Sequence, residues 1–155
     1  MAINYFPTTI LCSSYSKAFL ADGATSGAVM PGMLAEVIGR LIDGTVIYRP
    51  TLVENGTATC CVVLENIAMG AMVGERIFSP DERITVAYIP PGEMFNGLAD
   101  EDQTITVGDH LTCSGGGRFH RFTIAPVYSN VVVAIAMENI VIPAGDYAYI
   151  KMVAF

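Results

Sequence analysis

Arg83-Ile84-Thr85-Val86-Ala87-Tyr88-Ile89 places Ile84, Val86 and Tyr88 at alternate positions, on one face of an extended chain. A period of two, carried by β-branched and aromatic residues, is the signature of a strand. Turn formers bracket it: Ser79-Pro80-Asp81 before, Pro90-Pro91-Gly92 after. The same texture extends outward in both directions. Residues 45–48, 58–64, 104–107, 121–124, 131–137 and 147–153 are rich in Val, Ile, Thr and Tyr. Pro31-Gly32, Asp43-Gly44, Glu54-Asn55-Gly56, Gly70, Gly108-Asp109, Gly115-Gly116-Gly117 and Pro143-Ala144-Gly145 punctuate them. Turns recurring about every ten residues predict a mainly β chain folded as a small β-barrel or β-sandwich. Helical signals are few. Residues 33–41 suit one short helix and 93–99 another turn or two, so at most one or two short helices are expected.

An internal echo organises this region. Cys61-Val62-Val63-Leu64-Glu65-Asn66-Ile67 resembles Ala134-Ile135-Ala136-Met137-Glu138-Asn139-Ile140, and each is followed by a glycine-containing turn and another strand. Residues 28–155 are therefore expected to form one barrel domain with two pseudo-related halves. Residues 1–27 differ: they are rich in Ser, Thr and Ala, with Pro7, Gly23 and Gly27 and little periodicity. Two readings stand for them, a first strand of the same domain or an extended N-terminal arm that docks on another chain. Ile3, Tyr5, Phe6, Ile10, Leu11 and Phe19 are too many apolar side chains for a free tail.

Composition narrows the function classes. Of 155 residues 52% are apolar and 15% charged, which argues against disorder. No apolar run approaches the ~20 residues of a membrane-spanning helix, and the start lacks the pattern of a secretion signal. Fifteen acids against eight bases give a net charge of −7. Such a surface repels a phosphate backbone, so no nucleic-acid partner is expected. The four cysteines, at 12, 60, 61 and 113, lack Cys-x-x-Cys spacing and read as free thiols.

Candidate chemistry is thin. His110, Cys113 and His120 offer three ligands where a structural zinc site takes four. Ser114-Gly115-Gly116-Gly117-Arg118 lies between strand-like segments, whereas phosphate-cradling loops open a helix. Asp100-Glu101-Asp102 reads as a solvated loop. Glu65 and Glu138, at matching places in the echo, read as strand-end acceptors of hydrogen bonds. No catalytic residue, cofactor or metal is expected.

Several segments, in order, resemble the capsid decoration (cement) proteins of phages. They are Val63-Leu64-Glu65-Asn66, Val73-Gly74-Glu75-Arg76-Ile77, Ile89-Pro90-Pro91-Gly92-Glu93-Met94-Phe95-Asn96-Gly97-Leu98, Ile105-Thr106-Val107-Gly108-Asp109-His110-Leu111 and Val133-Ala134-Ile135-Ala136-Met137-Glu138. The resemblance implies a small β-tulip-like barrel that binds the outer surface of an expanded capsid and clamps neighbouring subunits. It implies the major capsid protein and further copies of the chain, as a homotrimer, as partners. Localisation would be the virion surface, with the host cytoplasm during assembly. On this reading Tyr5, Phe6, Ile10 and Leu11 are the arm's capsid contacts, and Met94, Phe95 and Leu98 are candidates for an oligomer interface. The rivals are another virion barrel, such as a head-fibre base or tail protein, and a ligand-binding barrel.

Overall fold

The computed structural model describes residues 7, 9–12, 16–52, 54, 59–65, 77–123 and 131–155. Among them are twelve strands and no helix: β1 (Phe19–Thr25), β2 (Ala35–Arg40), β3 (Val46–Pro50), β4 (Cys61–Val63), β5 (Arg83–Tyr88), β6 (Met94–Ala99), β7 (Gln103–Ile105), β8 (His110–Cys113), β9 (Phe119–Arg121), β10 (Ala134–Ala136), β11 (Ile140–Ile142) and β12 (Ala148–Ala154). They form a five-stranded sheet in the order β2-β3-β1-β5-β4 and a closed barrel in the order β10-β12-β6-β9-β8. A small ladder of β11 and β7 completes the fold. Neighbours are antiparallel except β1 with β3 and β6 with β9.

The alternation read in residues 83–89 is used on both faces. Ile84 and Val86 are buried in a compact core with Val29, Tyr48, Phe78 and Val63, and Tyr88 packs against its edge. Ala87 and Ile89 point the other way, into the larger core shared with the barrel. Central members of that larger core include Phe95, Leu98, Leu111, Phe119, Ile150 and Met152, all fully or almost fully buried. Each such side chain contributes about 1.5–3 kcal/mol on burial. The Phe95 and Phe119 rings lie 5.8 Å apart. A Cβ on Gly97 of β6 would lie 2.6 Å from Met152 Cε and 2.9 Å from the Phe119 ring.

The Pro31-Gly32 turn clasps sheet to barrel. Gly32 N–H donates to Val63 O at 2.8 Å, and Leu98 N–H donates to Gly32 O at 3.0 Å. The Tyr149 hydroxyl, from the barrel, donates to Pro31 O at 2.8 Å. Gly32 has φ of +88°, a conformation open to glycine and costly for other residues. The sheet's outer strands also meet at one end, through an isolated Leu34↔Val62 bridge.

The two expected helices and part of the expected arm are strands. Residues 35–40 of the first expected helix are β2, paired with β3, and 94–99 of the second are β6, paired along its length with β12. Segments this short make marginal helices alone, so the partner strand decides their conformation. Residues 19–25 of the expected arm form β1, at the centre of the sheet and in register with β5 from Phe19↔Tyr88 to Ala24↔Arg83. The weak periodicity there has a packing cause. A Cβ on Gly23 would fall 2.5 Å from Val46 O and 2.6 Å from the Tyr48 ring, so the strand needs a residue without one. The echoed segments 61–63 and 134–136 sit in different assemblies, β4 in the sheet and β10 in the barrel.

Candidate interaction surfaces

His110, Cys113, Asp100, Glu65 and Glu138 are engaged in holding the fold. His110 packs against Phe155, with ring centroids 5.9 Å apart. Cys113 is buried, and its thiol donates to Thr51 O at 3.3 Å. His120, on β9, is held below its ordinary pKa by burial. Among the described residues no three His, Cys, Asp or Glu side chains gather as metal ligands. Cys61 is equally inert: burial pushes its thiol up to about 12, so little thiolate forms near neutrality.

The glycine-rich loop is a hairpin turn between β8 and β9, not a phosphate cradle. Ser114 N–H donates to Arg118 O, Gly115 N–H to Cys113 Sγ and Gly117 N–H to Thr51 O, so three of its amides are already committed. Asp100 pairs with Arg118 at 2.9 Å, while Glu101 accepts from Gly145 N–H. Burial alone would raise the Asp100 carboxyl. The Ser114 hydroxyl and the Arg118 guanidinium beside it outweigh that and hold it below the usual carboxylate range. An open polar pocket of about 310 Å³ lies here, lined by Asp100, Gln103, His120 and Arg121 among others. Arg121 is itself drawn to Asp109 at 3.4 Å. Glu65 and Glu138 accept backbone N–H groups from Ile10 and Lys151 respectively. Their partners come from distant segments rather than from local turns.

The expected arm contacts divide. Tyr5 and Phe6 lie outside the described residues. Ile10 is fully buried in the larger core and Leu11 is half-buried, bridged to Phe95. Residues 9–12 run beside β6, where β9 pairs only at Ala99↔Phe119 and leaves the rest of that edge open. Asn96 clamps them twice, donating its backbone N–H to Ile10 O at 2.7 Å and its Nδ2 to Thr9 O at 2.9 Å. Ile10 is thus a core residue of its own barrel, not an outward-facing anchor. The expected interface residues divide as well. Phe95 and Leu98 face the barrel interior and are fully buried, and only Met94 is exposed.

A different surface emerges from the register. β1 and β3 run parallel, with Ala24 opposite Ile47. The start of β1 and the turn before β3 therefore reach the same end of the sheet. Phe19 and Leu20 are 68% and 52% exposed there, and Leu41 and Ile42 are 53% and 109% exposed. The β2–β3 turn that displays Leu41 and Ile42 is tightly specified. Gly44 N–H donates to Leu41 O and Leu41 N–H to Thr45 O, both at 2.9 Å. Gly44 has φ of +89°, and Asp43 Oδ1 accepts from Thr45 N–H at 2.9 Å. This is a three-residue hairpin loop with a glycine bulge, a rigid mount for two solvent-facing aliphatic side chains. Sequence reading marked Asp43-Gly44 as a turn and passed over the apolar pair before it. Two large aliphatic residues where a turn is normally polar were the available signal.

The described residues thus form a closed five-stranded barrel joined to a five-stranded sheet. No family model matches the chain, and no curated protein matches it in sequence. Among solved structures it is similar to the head fiber gp8.5 N base of bacteriophage phi29. The TM-score is 0.58 at 15% identity, over 89% of this chain and 94% of that one. At that identity the likeness is one of fold.

Proposed function

We propose that this chain is a non-enzymatic structural protein of a phage virion, and that it forms the base of an appendage on the outside of the head. The supporting observation is the fold likeness to a head-fiber base along nearly the full length of both chains. The committed state of the histidines, thiols and carboxylates accords with a scaffold role. In this reading the partners are the major capsid protein and further copies of the chain. Tyr5 and Phe6, ahead of the segment clamped by Asn96, are the proposed contacts with the head.

A second reading, a decoration protein that clamps capsid subunits, draws on the ordered segments from Val63 to Glu138. Copy number separates the two. Purified chain is mixed with expanded heads from its source, sedimented and quantified against the major capsid protein. A base saturates at a small fraction of the capsid subunits, and a decoration protein approaches one per subunit. A chain that stays in the supernatant contradicts both.

A further inference from the structure

The chain carries −7 overall, but the charge is unevenly spread. Residues 89–155, which contain all the barrel strands, hold seven acids against three bases. Residues 16–52, which form β1, β2 and β3, hold Lys17, Arg40 and Arg49 against Asp22, Glu36 and Asp43 and are neutral, whereas residues 53–88, which carry β4 and β5, hold five acids against two bases. The apolar end formed by Phe19, Leu20, Leu41 and Ile42 belongs to this neutral part. It is flanked on the hairpin by one charge of each sign, Arg40 just before the aliphatic pair and Asp43 just after it, and Arg83 of β5 adds a second cation close to Asp43.

We propose that this end of the sheet is a self-association face, and that its occupant is a second copy of this chain. The charge distribution selects that occupant. Two acidic molecules repel through most of their surfaces, but meeting at this end brings neutral regions together and keeps the acidic barrels apart. A symmetric contact needs a patch complementary to itself. A hairpin with a cation and an anion on either side of two aliphatic residues meets that need, because Arg40 of one copy can face Asp43 of the other. A strongly acidic or basic partner would gain nothing from the neutral end. Burying Ile42 and Leu41 also removes apolar surface that the isolated chain leaves in water. The rigid turn limits the ordering cost of docking.

The inference does not rest on the virion reading, since it is tested with purified protein and no capsid. Light scattering after size exclusion is run over a wide range of concentration on the intact chain and on I42D, with V141D as control. Val141 is an exposed aliphatic on β11, 71% accessible. The intact chain and V141D are expected to show the same concentration-dependent rise in mass. I42D is expected to lose it with an unchanged thermal melt. F19S provides a second, independent disruption on β1 should I42D fold poorly. A monomeric intact chain at every concentration would overturn the proposal. So would wild-type association by folded I42D or F19S, or loss of association in V141D alone.

Discussion

Gly117 donates its backbone N–H to Thr51 O at 3.0 Å, and its own carbonyl accepts from Leu34 N–H at 2.6 Å. Thr51 N–H donates to Leu34 O at 3.1 Å, which closes a ring of three backbone hydrogen bonds. The ring ties the barrel's glycine-rich hairpin to the entry of β2 and the exit of β3. It explains the glycine at 117, where backbones approach closely. Gly117 has φ of +77°, and a Cβ there would sit 2.9 Å from Leu34 O and 2.9 Å from Met33 Cε.

Replacing Gly117 with Ala should therefore destabilise the fold by about 2–3 kcal/mol, combining left-handed strain with the displaced junction. Gly116, one residue earlier, has no atom within 4 Å of an added Cβ and no positive φ. G116A should stay within about 0.5 kcal/mol of the parent. Urea unfolding of the two variants checks the contrast, and equal effects would remove the special role of Gly117.

Phe95 is a core residue. F95A should cost about 3–5 kcal/mol, and F95D should not fold. M94S, at the exposed neighbour, should leave the unfolding midpoint nearly unchanged. Circular dichroism with urea titration reads both. A folded, soluble F95D would return Phe95 to a surface.

The segment at residues 9–12 should be held locally by Glu65 and Asn96. E65A leaves the Ile10 N–H without its carboxylate acceptor, and N96A leaves Thr9 O without its side-chain donor. Each loss is worth about 1–2 kcal/mol, equivalent to about a 5–30-fold rise in the open population. Limited proteolysis under native conditions should show cleavage near residue 12 accelerated to that extent in each variant.

Asp100 and His120 contribute to the acid limb of stability in different windows. The folded-state pKa of His120 is lowered by burial, so its contribution is present above about pH 6.5 and is lost as pH falls below that. That of Asp100 is lowered as well, with its neighbours outweighing the effect of burial. Its contribution is present above about pH 4 and fades as pH falls through the lower folded value. D100N should be less stable than the parent at neutral pH, with the gap closing below about pH 4. Replacing His120 with Asn should flatten the decline that begins near pH 6.5. Chemical denaturation at a series of pH values separates the two.

Much of the fold was legible in the sequence because alternation and turn chemistry are local. Residues 83–89 and 147–153 were read nearly to their observed ends, and β3, β4 and β10 lie wholly or largely within predicted strands. β2 and β6 were misread because Ala35-Glu36-Val37 and Met94-Phe95-Asn96 are compatible with a short helix, and only pairing with β3 and β12 decides otherwise. Sequence leaves β1 open between a first strand and an arm because Gly23 and its small neighbours erase the apolar period that marks a strand, although their smallness is what lets it pass over Tyr48. The sites were less legible. Ile10, Phe95 and Leu98 are apolar, and composition cannot separate a buried apolar residue from an interfacial one. Leu41 and Ile42, aliphatic where a turn is normally polar, carried the one available signal, and the hairpin shows them at its tip.

The most direct test of a virion role is gold-labelled antibody against the chain on intact, purified particles from its source, viewed by electron microscopy. The account predicts label at discrete positions on the outer surface of the head. Particles free of label, with the chain absent from them by mass spectrometry, would contradict it.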